Sequence, residues 1–223
     1  MARSVADGDM RGARERLVET LREKGIRDLA VLRAFERTPR HAFLPTGLRH
    51  RAYEDAALPI GSGQTISQPY VHARYLELLE LTGKERVLEV GTGSGYQTVL
   101  LAHLVEQVFS IERIPALLQQ AREAAKLVGV RNVSFLLGDG SVGWREYAPY
   151  DAILVGAGAP AVPQPLVDQL AQGGRLLVPV GDREEQRLVL AKKVGATIET
   201  REIAPVRFVP LLGSHGWSTG DAP

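Results

Sequence analysis

The sequence predicts an α/β fold in which a mostly parallel sheet is covered by helices on both faces. From residue 69 onward, short apolar runs alternate with amphipathic segments of helical period. The apolar runs lack the alternation of polar residues that marks a sheet with one solvated face, so both faces of the strands are expected to be buried. A glycine-rich turn at residues 91–95 joins one such run to the next helix, as at the ligand-binding edge of open α/β sheets.

The N-terminal part of the chain is predicted to be helical and to precede this alternation. Apolar residues recur at helical spacing in residues 11–24, whereas the first ten residues show no apolar periodicity and are expected to lack regular structure. Asp28 is placed to cap a second helix that ends near residue 35, and Pro39 stops it. Residues 40–63 mix proline, glycine and aromatic residues and predict an ordered loop.

The alternation then assigns the remaining elements in order. The predicted helices cover residues 69–81, 96–104, 115–128 and 165–170, and the predicted strands cover residues 86–90, 107–111, 133–137, 151–155 and 175–180. Two further segments, 188–192 and 200–208, predict closing strands, so the sheet has seven strands. The order of the last two strands stays open. The absence of repeats predicts a single domain over residues 1–223.

Composition excludes several classes of function. The chain has no cysteine, which rules out a disulfide scaffold, a thiolate nucleophile and a cysteine-bound metal, and its five histidines show no metal-ligand spacing, so no metal is expected. A formal net charge of +1 gives no support to nucleic-acid binding. The polar N-terminus and the lack of a long apolar run predict a cytoplasmic protein that does not enter membranes.

Acidic residues at the ends of successive strands favour S-adenosylmethionine over a dinucleotide as the ligand of the glycine-rich turn. Glu89 ends the first strand, where it would repel a pyrophosphate but attract an ammonium group. Glu112 follows the second strand, 21 residues after Gly91, and suits the ribose hydroxyls. Asp139 and Gly140 follow the third strand, where the acid could accept from the adenine amine. S-adenosylmethionine carries an ammonium and a sulfonium but no phosphate.

Ser67 precedes the first helix that packs on the sheet and admits two interpretations. Sequence rules by themselves favour a helix N-cap, with Pro69 in the first turn, where its missing N–H is harmless. The same geometry also makes an anion site at a helix N-terminus, which would suit a carboxylate substrate.

Several blocks of the chain resemble the protein-L-isoaspartate O-methyltransferase family. The resemblance spans residues 12–217, and the segment 64–69 is far more diagnostic than the glycines, which many methyltransferases share. The blocks are 36–45 (ERTPRHAFLP), 51–55 (RAYED), 58–61 (LPIG), 64–69 (QTISQP), 88–98 (LEVGTGSGYQT), 110–113 (SIER), 138–140 (GDG) and 207–211 (RFVPL).

This resemblance implies a Rossmann-like class I S-adenosylmethionine-dependent methyltransferase fold with an N-terminal helical extension. It implies methyl transfer to the free carboxylate of L-isoaspartyl, and some D-aspartyl, residues in damaged proteins and peptides. The ester then converts through a succinimide toward normal aspartate. It also implies a monomer, with residues 11–63 as helices and a substrate-side loop, 64–184 as the cofactor-binding core, and 185–217 as closing strands and a substrate-side segment.

The resemblance also implies roles for individual residues. Ser67 would be the active-site serine. The implied cofactor-binding residues are Gln64, Thr65, Ile66, His72, Glu89, Gly91, Thr92, Gly93, Ser94, Gly95, Glu112, Arg113, Asp139 and Gly140. The implied substrate-binding residues are Ile66, Ser67, Val209, Pro210 and Leu211. Many members have a polar residue after the Val-Pro-Leu segment, whereas here Leu212 and Gly213 follow, which favours backbone contacts to the peptide.

The expected chemistry needs no general base. A carboxylate has a pKa near 4 and is already ionised at neutral pH, so the site has only to align it and strip its water. Three alternatives remain at this point: a methyltransferase of a small molecule or RNA, an NAD-dependent dehydrogenase, and a module that binds the cofactor without turnover. An RNA enzyme would be expected to show a basic surface.

Overall fold

The computed structural model describes residues 5–218 and begins with two helices and a hairpin. Their packing forms a cap beside the main sheet. The elements are α1 (Val5–Glu23), α2 (Leu29–Arg37), two 3₁₀ turns at Arg40–Phe43 and Thr46–Arg51, β1 (Leu58–Gly61) and β2 (Gln64–Ile66). As predicted, the Asp28 side chain caps α2 by accepting from the main-chain N–H groups of Ala30 and Val31.

The core that follows alternates strands and helices. Its elements are α3 (Pro69–Leu78), β3 (Arg86–Val90), α4 (Tyr96–Ala102), β4 (Gln107–Glu112), α5 (Pro115–Val128), β5 (Val133–Leu137), β6 (Tyr150–Val155), α6 (Gln164–Asp168), β7 (Leu170–Gly181), β8 (Gln186–Val194) and β9 (Thr197–Val206). The expected α/β fold with a mostly parallel seven-stranded sheet is confirmed.

The strand order in this sheet is β5-β4-β3-β6-β7-β8-β9. The first five of these strands are parallel, and β8 and β9 are added as an antiparallel hairpin on β7, which settles their order. The chain runs outward from β3 to β5 and then returns to the other side of β3 with β6. This reversal opens a crevice at the carboxyl end of β3, where open α/β sheets bind ligands.

The apolar strands are explained by burial on both faces of the sheet. Val87 belongs to an apolar cluster shared with α1 to α5, whereas the next residue, Leu88, belongs to a second cluster that includes Leu166 of α6. Successive strand residues point to opposite faces. Because both faces of β3 pack against apolar side chains, its sequence does not alternate between apolar and polar residues. The glycine-rich turn therefore leaves from a strand held on both sides.

Three boundary predictions were wrong. Helix α1 begins at Val5 rather than residue 11, so residues 5–10 are regular; residues 1–4 lie outside the described part of the chain. A formed helix propagates by adding one hydrogen bond per residue, without needing an apolar stripe. Residues 40–63 contain the two 3₁₀ turns and most of the β1–β2 hairpin rather than a loop. Helix α3 ends at Leu78 rather than 81, and the following Glu80 adopts a positive φ of 47°.

The closing strands also differ from the prediction. Strand β7 starts at Leu170, five residues early, through an irregular pairing with β6, so the helix before it is only five residues long. Strands β8 and β9 pair along nearly their whole length, on either side of the tight turn between Val194 and Thr197. Because this pairing extends up to the turn, both strands lie closer to it than predicted, and β9 ends at Val206. Phe208 therefore lies beyond the sheet and is free to face the site.

Candidate functional site

A cavity of about 440 Å³ lies at the carboxyl ends of β3, β4 and β6. Its walls come from the β1–β2 hairpin and the start of α3, the glycine-rich turn, the turn after β4, and the segment after β9. Its size is within the range of small-molecule sites. Every residue predicted to bind cofactor or substrate lines it, except Gly95 and Asp139.

The glycine-rich turn presents bare backbone to this cavity. Gly91 and Gly93 both adopt positive φ, at 92° and 55°, and both lie in the cavity wall. Gly95 has a different role, because a Cβ there would lie 2.9 Å from the Cβ of Ala121. Its missing side chain lets the start of α4 pack against α5, and Gly95 does not line the cavity, so its predicted contact with the cofactor stays a prediction.

Glu89 is fully buried and presents one carboxylate oxygen without a protein partner. Its Oε2 atom accepts from the hydroxyls of Thr98 and Ser110, each at 2.5 Å. The single hydroxyl proton of Ser110 is used in this bond, so Thr92, 2.6 Å from Ser110, donates to it. Burial raises the pKa of Glu89 to about 7. The hydrogen bonds from Ser110 and Thr98 lower this pKa, whereas the negative charge of Glu112 raises it further. An ammonium group at Oε1 would supply the missing partner.

Glu112 is held at the end of β4 by three main-chain donors. Its Oε2 accepts from the N–H of Gly93 at 2.9 Å, and its Oε1 accepts from Arg113 and Ile114 at 2.8 and 2.9 Å. A carboxylate offers about four lone-pair sites, so Glu112 retains capacity for a ligand. The residue couples the glycine-rich turn to the turn after β4 within the same wall.

Asp139 lies beside the cavity and binds the C-terminal segment. Its carboxylate accepts from the Ser141 N–H and hydroxyl, at 2.9 and 2.6 Å, and from the Ser214 N–H at 2.7 Å. These bonds outweigh partial burial and lower the pKa of Asp139 below its ordinary value. Gly140 next to it does line the cavity, and a Cβ there would clash with Val90. The predicted contact of Asp139 with adenine stays a prediction.

Ser67 is not the N-cap of α3. The N-cap position is Gln68, whose side chain makes no capping bond, and Pro69 occupies the first helical position. Instead, Asp55 from the preceding loop accepts from the Tyr70 N–H at 2.8 Å. The serine hydroxyl has no hydrogen-bond partner among the described residues, and Ser67 lines the cavity wall.

That wall is shared with a second cavity of about 770 Å³. Ser67, Phe208, Val209 and Pro210 line both cavities, and the second one extends outward to Trp217 and to the loop between β7 and β8. The first cavity, called the inner cavity below, therefore lies at the glycine-rich turn and the second lies beside Trp217, with Ser67 in the wall between them.

The segment after β9 is fixed by main-chain bonds to the loop after β6. The Gly158 N–H donates to the Val209 carbonyl and the Leu211 N–H donates to the Gly158 carbonyl, both at 2.8 Å. Because hydrogen-bonding groups alternate from one residue to the next along an extended segment, the Pro210 carbonyl points to the opposite side, while the backbone groups of Val209 and Leu211 face Gly158. The predicted backbone contacts to a peptide can use only that side.

His72 is half-buried in the cavity wall, with its Nε2 atom shielded from solvent, and its ring is neutral at neutral pH. Burial, with help from the charge of Arg40, lowers the pKa of His72 to about 3 even though the Gln97 amide raises it. The imidazole ring packs edge-on against Tyr96 at a centroid distance of 5.5 Å. A neutral ring with a pKa this low is unsuited to general acid catalysis near neutral pH, and this agrees with a reaction that needs none.

Sequence reasoning missed several residues of the cavity, above all Tyr75, Gln97 and Phe208. The rings of Tyr75 and Phe208 stack at 5.6 Å, and the Tyr75 hydroxyl and both amide atoms of Gln97 are buried without a partner. Tyr75 lies one helical turn after His72 and could have been found by that spacing. The position of Phe208 depends on the end of β9, which no local signal gave.

Residues 5–218 contain neither a cluster of metal ligands nor a membrane-spanning helix. No group of three or more metal-ligating side chains occurs there. Within the same range, no helix combines the length and apolar character needed to cross a membrane.

Comparison with known proteins shows which family this chain resembles. The profile of the protein-L-isoaspartate(D-aspartate) O-methyltransferase family matches residues 12–216. The protein-L-isoaspartate O-methyltransferase 1 of Syntrophobacter fumaroxidans is 51% identical over 206 residues, which covers 92% of this chain and 96% of that protein. The protein-L-isoaspartate O-methyltransferase of Pseudomonas paraeruginosa is 53% identical over 200 residues, covering 89% and 95%.

Solved structures give the same result. A protein-L-isoaspartate O-methyltransferase superposes with a TM-score of 0.84 at 32% identity, covering 91% of this chain and 67% of that chain. A beta-aspartate methyltransferase from Plasmodium falciparum, solved in complex with S-adenosyl-L-homocysteine, gives a TM-score of 0.78 at 29% identity, covering 88% and 96%.

Proposed function

Because this chain belongs to the protein-L-isoaspartate(D-aspartate) O-methyltransferase family, we propose that its two cavities divide the two substrates of that reaction between them. The 440 Å³ cavity would hold S-adenosylmethionine and the 770 Å³ cavity would hold the isoaspartyl peptide. The observation that carries this assignment is the wall that contains Ser67, which both cavities share. These matches favour the repair enzyme over the small-molecule and RNA alternative.

The enzyme is a protein-repair methyltransferase that uses S-adenosylmethionine. It esterifies the free carboxylate of L-isoaspartyl residues in damaged proteins, and the ester converts through a succinimide toward normal aspartate. Activity on D-aspartyl residues is included in the family description.

The residues around the inner cavity fit this cofactor. The unpartnered Oε1 of Glu89 would take its ammonium group, since a buried acceptor without a donor is costly. The spare lone-pair capacity of Glu112 would take the ribose hydroxyls, and Asp139 with Gly140 would meet the adenine. Gly91 and Gly93 allow a ligand to lie against main chain that carries no Cβ. The hairpin residues Gln64, Thr65 and Ile66, with Thr92, Ser94, Arg113 and His72, would complete the cofactor contacts.

The acceptor side needs orientation rather than acid–base chemistry. The bound cofactor supplies a sulfonium methyl group that an ionised carboxylate can attack directly. The Ser67 hydroxyl, free of protein partners, would donate one hydrogen bond that orients the carboxylate toward the inner cavity. The stacked rings of Tyr75 and Phe208 form an apolar wall beside it that excludes water. His72 stays neutral and would act through shape and hydrogen bonding.

Peptide recognition would rely on the main chain. The Pro210 carbonyl, on the side of its segment away from Gly158, would accept a hydrogen bond from the peptide backbone, while Ile66 and Leu211 contribute apolar contact. Recognition of this kind ignores side chains, which suits an enzyme that must repair many flanking sequences.

We also propose the class of substrate, the oligomeric state and the cellular location of the protein. The net charge of +1 favours protein substrates over nucleic acid. The chain would act as a single domain and as a monomer in the cytoplasm. Light scattering during gel filtration tests the monomer, and a stable dimer would contradict it.

The experiment that tests the function compares two peptides that differ only in one linkage. Labelled S-adenosylmethionine is offered with a peptide containing L-isoaspartate and with its L-aspartate counterpart. Base-labile label on the isoaspartyl peptide alone is the expected result. Label on both peptides would contradict the acceptor specificity, and label on neither, with cofactor bound, would contradict the function.

A further inference from the structure

Arg40 is fully buried, and the two terminal nitrogens of its guanidinium donate only to main-chain carbonyls, whereas its Nε has no hydrogen-bond partner among the described residues. Nη1 donates to Ala52 at 2.6 Å and more weakly to Glu54 at 3.4 Å. Nη2 donates to Ala56 at 3.0 Å and to Ser67 at 3.1 Å. One side chain therefore joins the loop before the hairpin to the main chain of the serine between the two cavities.

The chemistry of this contact requires an arginine. A planar guanidinium presents its donors as a rigid fork, whereas an ammonium is a single point on a flexible stem. The Arg40 guanidinium has no carboxylate within hydrogen-bonding distance among the described residues. Burial lowers its pKa, although the charges of Asp55 and Glu54 act in the opposite direction. Taking a charge out of water is costly. We therefore attribute the presence of Arg40 to the geometry that its guanidinium imposes on the bound carbonyls, rather than to a gain in stability.

The same guanidinium also contacts the cofactor side of the site. It lies 5.8 Å from the centre of the Tyr96 ring, and Tyr96 is the first residue of α4, directly after the glycine-rich turn. The His72 ring, in the wall of the inner cavity, packs edge-on against the same Tyr96 ring. Arg40 thus touches the two segments that must keep a fixed separation for methyl transfer.

We propose that Arg40 is a positioning residue that fixes the distance and angle between the Ser67 segment and the start of α4. It does not contact substrate or cofactor, since it is absent from the walls of both cavities. This inference rests on the proposed role of Ser67. In-line transfer depends steeply on alignment, and a displacement of about 1 Å can lower a rate about 100-fold.

The test uses two variants of the full-length protein and one matched control. Arg40→Lys keeps the charge and most of the stem but cannot bridge the carbonyls of Ala56 and Ser67 together with that of Ala52. Arg40→Met removes the donors and keeps the length. The control is Arg175→Met, because Arg175 is also mostly buried, at 19% side-chain exposure, and also donates to a carbonyl, that of Glu80, but lies away from the site.

The expected result is a split between turnover and binding. For Arg40→Lys we expect kcat with the isoaspartyl peptide to fall by about 10- to 100-fold, while the Kd for S-adenosyl-L-homocysteine changes less than about threefold, within the scatter of neutral changes. Arg175→Met should lower the melting temperature and leave both kinetic and binding constants near those of the unmodified protein.

Two outcomes would overturn the proposal. One is unchanged kcat in a folded Arg40→Lys or Arg40→Met protein. The other is a parallel loss of kcat, cofactor affinity and melting temperature in both variants, which indicates a purely structural role. If Arg40→Met does not fold, Arg40→Lys alone decides between these outcomes. Failure of the unmodified protein to methylate the isoaspartyl peptide would count against the proposed function instead.

Discussion

Asp55 caps α3 from a distance of 15 residues, with its Oδ1 accepting from the Tyr70 N–H at 2.8 Å. The other oxygen accepts from the Lys24 ammonium at 2.5 Å and from the Gln68 amide at 3.0 Å. Helix α3 has no side-chain cap of its own. One carboxylate in the loop before the hairpin therefore binds the residue that follows α1 and the residues on either side of Pro69.

The first prediction concerns this cap. We expect Asp55→Ala to lower the free energy of unfolding by about 1–2 kcal/mol, the usual cost of losing a helix cap, and to lower kcat because the Ser67 segment loses its anchor. Denaturant unfolding and peptide methylation measure the two effects. Asp28→Ala is the matched control, since it removes the cap of α2 away from the cavities. Equal loss of kcat in both variants would show that the effect is not local.

The second prediction concerns stability and the Glu89 carboxyl. Its pKa is raised from 4.5 to about 7 in the folded protein. Between these values the folded state holds a proton that the unfolded state has released, so stability should fall as pH rises from about 4.5 to 7. Glu89→Gln cannot titrate and should lose this slope. Denaturant unfolding of the ligand-free protein across this range measures it, and an unchanged slope in the variant would contradict the assignment.

The third prediction concerns proton release on cofactor binding. If the ammonium group of S-adenosyl-L-homocysteine binds Glu89, it favours the carboxylate and expels the proton. At pH 6.5 we expect binding to release a fraction of a proton, seen by calorimetry in buffers of different ionisation enthalpy, and to tighten as pH rises toward 8. Glu89→Gln should bind more weakly and release none. Uptake of protons by the unmodified protein would exclude this contact.

The fourth prediction concerns the serine between the cavities. We expect Ser67→Ala to lower kcat by about 10- to 100-fold, the value of one hydrogen bond to a charged group, with unchanged affinity for S-adenosyl-L-homocysteine. Steady-state methylation and calorimetric titration separate the two quantities. Glu112→Ala serves as the converse variant, because it should weaken cofactor binding first. Loss of cofactor affinity in Ser67→Ala would place the hydroxyl in the wrong cavity.

The fifth prediction separates backbone strain from crowding at Gly95. Gly95 and Gly129 have nearly equal φ values, 83° and 82°, but only Gly95 has a close neighbour, Ala121. Gly129→Ala should cost about 1 kcal/mol from the left-handed backbone alone. Gly95→Ala should cost about 1–3 kcal/mol more, through overpacking of α4 against α5. Equal values by denaturant unfolding would show that the helices move apart freely.

Local sequence determined the region around the glycine-rich turn well because its signals are short-range. The apolar runs of β3 and β4 are buried on both faces, and the parallel ladder brings Glu89 and Glu112 to one edge of the sheet. The turn between them places Gly91 and Gly93 in the cavity wall. Each of these positions follows from residues a few places apart, so periodicity and glycine spacing were sufficient.

Tertiary structure alone decided the surroundings of Ser67, Asp139 and Arg40. Ser67 satisfied the local rule for a helix cap, yet the Tyr70 N–H at the start of α3 donates to Asp55, whose approach depends on the fold of the whole loop. Asp139 satisfied the rule for a strand-end acid, but long-range pairing with Ser214 fixes its carboxylate. Arg40 carried no local signal, because its carbonyl partners lie 12 to 27 residues away. Contacts at such separations depend on packing geometry, which neither hydrophobic period nor residue preference encodes.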